Sequence, residues 1–404
     1  MWKLKSKASS DLSQYKAGDR LEVAIERIVP NGFGIAFAEG LTIFAALAAA
    51  GDRAVVELTQ IKKRTAFAEI VEIRAPSLDR IAPPCPYFGT CGGCDFQHLN
   101  YAAQLAAKVS IVKDCLTRIG KIELTQDIEI VGSPAEFAYR SRAQWHLDTQ
   151  ARHFGYFQRN SHSVVDVEHC PILAPELDAE LRRQRANVQW ETLWEPIADI
   201  EAASGENGDI SLFSGNITDE PREISYTAAG DTYLYSAKSF FQGNRFLVPK
   251  LLELAIGGAS GGHALDLYCG VGLFAIPLAR KFKTVTGVEE NPDAIDFAEK
   301  NADLAGLRNV EFYQLSVDKF LFRNDLENAD LIVFDPPRSG ADLRTVKRLA
   351  ELRAKEISYV SCDPSILARD LRILLDSGYR IRSMTALDLF PQNHHVETVV
   401  RLSI

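Results

Sequence analysis

Leu331-Ile332-Val333-Phe334-Asp335-Pro336-Pro337-Arg338 is the stretch on which the fold turns. Four apolar residues without alternation read as a strand buried on both faces, the habit of a parallel sheet with helices on either side. A carboxylate and two prolines then end it. In such sheets ligands collect where strands stop at their carboxyl edge, so Asp335 is placed where a ligand would be met.

The same pattern recurs on both sides of it. Ala264-Leu265-Asp266-Leu267-Tyr268-Cys269-Gly270-Val271-Gly272-Leu273-Phe274-Ala275 is an apolar strand running into a glycine loop that opens a helix. A second strand, Thr284 to Val288, ends in Glu289, where a carboxylate can grip ribose hydroxyls. The loop alone also satisfies the dinucleotide pattern G-x-G-x-x-A, so it leaves a nicotinamide cofactor open. Asp335 decides against that reading, since a dinucleotide enzyme has no need of an acid held there by two prolines. A further strand stops at Tyr359-Val360-Ser361-Cys362-Asp363-Pro364, presenting a thiol at the same edge, although cysteine is more often a small core residue. With Leu331–Phe334 as the fourth strand and the run ending at Ser361 as the fifth, Met384–Leu389 and Glu397–Leu402 are the sixth and seventh of a seven-stranded sheet.

Upstream the rhythm differs. Residues 15–75 alternate short β-type runs (Leu21–Ile25, Phe33–Phe37, Val55–Leu58, Thr65–Ile73) with turns at Asn31-Gly32 and Glu39-Gly40, which predicts a small OB-like barrel. Its basic corner, Lys62-Lys63-Arg64, suits single-stranded nucleic acid or is simply a solvated turn. Next comes Cys85-x5-Cys91-x2-Cys94, rich in Gly and Pro, with Cys170 as a candidate fourth thiolate. Four thiolates fit an iron–sulfur cluster or structural zinc, and the wide first gap favours iron–sulfur. Tyr101 to Gly120 reads as an amphipathic helix with a glycine stop. From about 121 to 245 the pattern is mostly short strands, closed by Ser239-Phe240-Phe241-Gln242-Gly243-Asn244, whose aromatics could stack a base or form a hinge.

The chain has 404 residues, 46% hydrophobic and 25% charged, and a net charge of −9. Taken as a total, that sign argues against a nucleic-acid partner, yet residues 171–230 hold twelve acids against four arginines, so the remainder is nearly neutral. Screening confines charge effects to about 8–10 Å, and an acidic segment can face away from RNA. Met1–Lys7 is basic but lacks the apolar run of a signal peptide, no stretch is long enough to span a bilayer, and a cytoplasmic location is expected. No feature calls for an obligate protein partner.

Taken together, C-x5-C-x2-C with a distant Cys, F-F-Q-G-N, D-L-Y-C-G-V-G, D-P-P-R, S-C-D-P and H-H-V-E-T-V resemble the RNA uracil-5-methyltransferases. The closer resemblance is to the branch with an N-terminal TRAM barrel and a 4Fe–4S cluster that methylates 23S ribosomal RNA. It implies three domains: a TRAM/OB-like RNA-binding barrel at 1–78, an iron–sulfur and β-rich central domain at 79–245, and a Rossmann-like S-adenosylmethionine-dependent methyltransferase domain at 246–404. It implies Cys362 as nucleophile and Glu397 as base. Gln242, Tyr268, Glu289 and Asp335 would contact the methyl donor, Phe240 would stack on the extruded uracil, and Cys85, Cys91, Cys94 and Cys170 would hold the cluster. Leu273 and Ser316 depart from common family residues and stay outside the binding set. A related transferase acting on the tRNA T-loop lacks barrel and cluster, which ranks tRNA second as substrate. Radical methylthiotransferases also carry a TRAM barrel, but their C-x3-C-x2-C loop is absent. A non-catalytic RNA-binding protein with a redox-sensing cluster would leave Asp335, Cys362 and Glu397 without a purpose.

Overall fold

The structure, a computed structural model, describes residues 15–124, 126–215, 220–323 and 328–404. The basic N-terminal stretch Met1–Lys7 lies outside them, as does Asp219 of the acidic segment. The chain divides into two compact units, one of residues 1–84, 94–111 and 392–394, the other of 85–93, 112–391 and 395–404.

The first unit is built on six strands, β1 (Arg20–Ala24), β2 (Arg27–Val29), β3 (Phe33–Ala38), β4 (Leu41–Ala46), β5 (Arg53–Lys62) and β6 (Thr65–Ala75), in the order β1-β5-β6-β4-β3-β2. All neighbours are antiparallel except β4 and β6. Val23, Ala36, Ile43, Val56, Leu58 and Ala66 fill its core. β4 escapes a sequence reading because the alanine run after it has helix-forming composition, yet it alternates buried and half-buried residues as a strand should. The unit is pinned by Asp52, whose fully buried carboxylate accepts from Arg80 Nη2 at 2.7 Å and from the N–H groups of Ala49 and Ser77.

Helix α1 (Tyr101–Cys115) begins in the first unit and ends in the second, where a π-type turn, Leu116–Gly120, extends it. The glycine is not the left-handed stop its position suggests; Lys121 takes that conformation, with φ 51°. Gly120 is there for closeness instead, because a Cβ would lie 2.8 Å from the Ala368 carbonyl oxygen.

The second unit continues with β7 (Glu129–Val131), β8 (Arg142–Asp148), β9 (His153–Phe157), β10 (Val164–Asp166), α2 (Pro175–Asn187), β11 (Ile197–Ser204), β12 (Ile210–Phe213), β13 (Ile224–Ala228) and β14 (Asp231–Tyr235). β10-β9-β8-β11-β12 form an antiparallel sheet, and β13 and β14 a hairpin. Trp145, Leu147 and Phe154 of that sheet pack with Leu177 and Leu181, one helical turn apart on α2. So few apolar residues in an otherwise charged helix explain why α2 is not conspicuous in the sequence.

The rest alternates helix and strand: α3 (Val248–Ile256), β15 (Gly261–Leu267), α4 (Ala275–Ala279), β16 (Phe282–Glu289), α5 (Pro292–Leu304), β17 (Val310–Gln314), α6 (Val317–Leu321), β18 (Leu331–Phe334), α7 (Leu343–Glu351), β19 (Glu356–Ser361), α8 (Pro364–Asp376), β20 (Arg380–Leu387) and β21 (Glu397–Ser403). The sheet order is β17-β16-β15-β18-β19-β21-β20-β7. β15 to β19 are parallel, and β21 runs against both neighbours. The seven expected strands are thus joined by an eighth, β7, from far upstream, parallel to β20. All four residues of β18 are buried; each such side chain contributes roughly 1.5–3 kcal/mol.

Candidate active site

Strand order reverses between β15 and β18: from β15 the chain crosses to β16 on one side, while β18 lies on the other. A crevice forms outside the carboxyl ends of strands at such a switch point, and it is flanked here by Tyr268, just past β15, and Asp335, just past β18. Tyr268 holds φ 65°, a backbone state costly for a side chain of its size. Gly270 and Gly272 follow at φ 52° and 87°, which glycine tolerates. The loop is drawn towards β16 by Glu289, whose Oε2 accepts from the Gly270 N–H at 3.1 Å while Oε1 accepts from the N–H groups of Glu290 and Asn291.

Asp266 in β15 is fully buried and neither carboxylate oxygen has a side-chain hydrogen-bond partner. Burial, with Asp335 and Glu289 nearby, pushes its carboxyl well above the ordinary range. Sequence reasoning did not single it out; the signal was a lone acid inside an apolar strand. A buried acid beside a glycine loop and a strand-tip carboxylate gathers polar groups that fit a nucleoside.

Cys362 stands one residue beyond β19 and is half-buried. The next two residues start α8: Asp363 caps it, accepting from the N–H groups of Ser365 and Ile366 at 2.8 and 3.0 Å, and Pro364 occupies the first turn. The proline therefore opens a helix as well as ending a strand. Across the sheet, Ser361 pairs with Thr398, so one further antiparallel step sets Cys362 opposite Glu397, at a spacing of about 4.5–5.5 Å between opposed Cα atoms. Glu397 is buried and its Oε1 has no hydrogen-bond partner.

These groups act on one another. Burial, and then Glu397, pushes the Cys362 thiol up to about 12, with Asp335 and Asp363 adding to it and Arg338 opposing. Burial and the neighbouring Asp335 push the Glu397 carboxyl well up, again against Arg338. Burial raises Asp335 to about 7.

Phe240 and Phe241 take opposite parts. Phe241 stacks on Tyr235, with ring centroids 4.5 Å apart, while Phe240 is 65% exposed. The segment before them is held by half-buried Arg142, which donates to the carbonyls of Ser236, Ala237 and Ser239. Gln242 is buried and its carbonyl accepts from Ser141 Oγ at 3.4 Å.

A family profile described as tRNA (Uracil-5-)-methyltransferase matches residues 222–404. The 23S rRNA (uracil(1939)-C(5))-methyltransferase RlmD of Pectobacterium atrosepticum is 31% identical over 94% of this chain and 92% of its own. The chain belongs to the RNA uracil-5-methyltransferase family. An uncharacterised RNA methyltransferase of Streptomyces avermitilis is 34% identical over 95% of this chain and 98% of its own. Among solved structures, the Pyrococcus abyssi tRNA (uracil-54, C5)-methyltransferase in complex with S-adenosyl-L-homocysteine superposes with a TM-score of 0.74. It is 26% identical and covers 95% of this chain and 100% of that one. So broad a match includes most of the N-terminal sheet, and that sheet therefore does not separate rRNA-acting from tRNA-acting methyltransferases.

In this methyltransferase the four candidate cluster thiols are not equally placed. Cys85, Cys91 and Cys170 belong to one unit and are near enough for their charges to oppose one another's ionisation. Burial is the main reason Cys91 is raised and Cys170 stands at about 11. The Gly93 N–H donates to Cys91 Sγ at 3.4 Å. Cys94 is buried and falls in the other unit. Among the described residues no three His, Cys, Asp or Glu side chains are gathered closely enough to hold a metal ion.

Proposed function

We propose that this enzyme methylates C5 of one uridine in 23S ribosomal RNA, with Cys362 as nucleophile and Glu397 as base. The observation that carries the assignment is the placement of Cys362 opposite Glu397 at the carboxyl edge of the sheet. Uracil C5 is too weak a nucleophile to be methylated directly. Cys362, as a thiolate, adds to C6 and moves electron density to C5, dividing one hard step into easier ones. S-adenosylmethionine supplies the electrophilic methyl group, with Tyr268, Glu289, Asp335 and Gln242 holding it. Glu397 then removes the C5 proton, and Cys362 leaves as C5=C6 re-forms. A carboxyl raised by burial is a stronger base once ionised, which suits this transfer. Phe240, exposed two residues before Gln242, offers a ring for the extruded base, offsetting part of an unstacking cost of a few kcal/mol by estimate.

Ribosomal RNA is favoured by the relatives that span nearly the whole chain and are named for 23S rRNA; tRNA is the second reading, favoured by the name of the Pyrococcus protein. Labelled S-adenosylmethionine incubated with unmodified rRNA and, separately, unmodified tRNA tests both. 5-Methyluridine from rRNA alone supports the proposal, and label in tRNA alone replaces its substrate.

The same reading makes residues 1–78 a TRAM barrel that holds RNA, 79–245 a central domain, 246–404 the methyltransferase domain, and the cytoplasm the site of action. Cys85, Cys91, Cys94 and Cys170 would bind a 4Fe–4S cluster, supported by their spacing and by the mutual influence of three of them; ligation would have to draw Cys85, Cys91 and Cys170 closer than they stand. Iron and sulfide analysis of anaerobically purified protein checks this, and stoichiometric zinc would replace it.

A further inference from the structure

Asp370 lies in α8 and is wholly buried. A carboxylate taken out of water is costly unless its oxygens are bonded, and here both are. Oδ2 accepts from the Tyr359 hydroxyl and Oδ1 from Arg369 Nε, each at 2.7 Å. Arg369 reaches on with Nη2, which donates to the Ala341 carbonyl at 2.8 Å. Buried leucines such as Leu367, Leu371 and Leu374 bind the same helix to the fold without that cost. What a chain of polar bonds adds is direction.

The chain ends at the groups proposed to react. Tyr359 is in β19, three residues before Cys362, and the helix that carries Asp370 begins at Pro364, two residues after it. Ala341 follows the turn that leaves Asp335, in which the Gly340 N–H donates to the Pro337 carbonyl at 2.7 Å. That turn is pressed on α8, since a Cβ on Gly340 would fall 2.6 Å from Ile366 Cγ2. Tyr359 also meets Phe334 edge-on, with ring centroids 4.9 Å apart, and Phe334 meets Tyr268 at 5.8 Å. A row of three rings thus runs from the strand of the thiol to the loop after β15.

We propose that Asp370, bonded to Tyr359 and Arg369, is a positioning residue that sets Cys362 against Asp335 and so against the methyl donor. The thiol adds at C6 and the methyl group arrives at C5, adjacent carbons of one ring, so the two must be placed together closely. A displacement of about 1 Å costs on the order of 10²-fold in rate. The ladder between β18 and β19 ends at the Phe334–Tyr359 pair, short of both Asp335 and Cys362. Beyond that pair the Asp370 bonds take over. Through Tyr359 they fix the angle at which α8 leaves the strand, and through Arg369 they hold the turn that follows Asp335.

This inference rests on Cys362 as the nucleophile, so Cys362→Ala is assayed beside the test; methylation that survives it removes the nucleophile and this inference together. The deciding variant is Tyr359→Phe, which deletes one hydroxyl and leaves Asp370 its bond to Arg369. Its control is Tyr379→Phe, which deletes another buried hydroxyl, the donor to the Ala354 carbonyl at 3.0 Å near the start of β19. Single-turnover transfer of label from saturating S-adenosylmethionine to the RNA that the wild type methylates is read on both, with donor affinity and melting temperature. Tyr359→Phe should transfer about 10- to 100-fold more slowly with donor affinity unchanged. Tyr379→Phe should transfer at the wild-type rate even where it melts as low. Equal rates in the two variants overturn the inference and leave the bonds a matter of stability. Should Tyr359→Phe not fold, Arg369→Met decides against Arg353→Met, which loses the Ser377 carbonyl at the other end of α8. Slower transfer in Arg369→Met alone supports the inference, and equal rates overturn it.

Discussion

Cys362 stands opposite Glu397 across two antiparallel strands, one step past the Ser361–Thr398 pair, so a thiol and a buried carboxyl meet at the carboxyl edge of β19. Neither is carried on a flexible loop. β19 delivers the first and β21 the second, and their shared ladder keeps the spacing fixed.

Cys362→Ala and Cys362→Ser should therefore abolish methylation and leave S-adenosylmethionine binding intact, because the residues proposed to hold the donor lie elsewhere: Tyr268, Glu289 and Asp335 at the ends of β15, β16 and β18, and Gln242 outside the sheet. Equilibrium dialysis with the donor and transfer of label to RNA, measured on the same protein, check the two halves of this expectation.

Glu397→Gln keeps the shape and removes the base. Turnover should fall by about 10²–10⁴-fold, and an RNA–protein band that survives denaturation should accumulate, since Cys362 cannot be expelled while C5 keeps its proton. Normal turnover without such a band would return the role of base to another residue.

Asp335 makes a pH-dependent cost visible. Burial raises its carboxyl to about 7, so the fold prefers the protonated form. The stability tied to this group is full below the unfolded value and is lost as pH rises through about 7. Asp335→Asn should melt higher than the wild type near pH 8, with the gap closing towards pH 4, and should lose methylation. Thermal unfolding at both pH values reads the sign.

Asp52 behaves oppositely. Burial alone would raise it, but Arg80 and the N–H groups of Ser77 and Ala49 outweigh that and hold its carboxyl below the ordinary range. Arg80→Met strands a buried charge and should cost about 3–5 kcal/mol, seen as a lower urea midpoint.

What the sequence discloses follows from how local each signal is. β18 and β19 are legible because buried parallel strands are unbroken apolar runs, and the polar residues that end them, Asp335 and Cys362, fall at the functional edge for the same reason. The alignment of Cys362 with Glu397 is not legible in that way, since it depends on the register set between β19 and β21, with α8 and β20 intervening. Phe240 and Phe241 are indistinguishable in sequence, and only Tyr235 tells which of them is core. β7 is three residues long and its partner is distant, so nothing local announces where it pairs.

That last strand bears on how the protein is made. Glu129 pairs with Thr385, so about 250 further residues must leave the ribosome before β7 meets its neighbour. At about 5–20 residues per second this is a delay of roughly ten to fifty seconds, during which a nascent segment has no strand to join. A chain halted by a late stop codon would emerge with β7 stranded, and would be a substrate for chaperones and proteases rather than a smaller working enzyme.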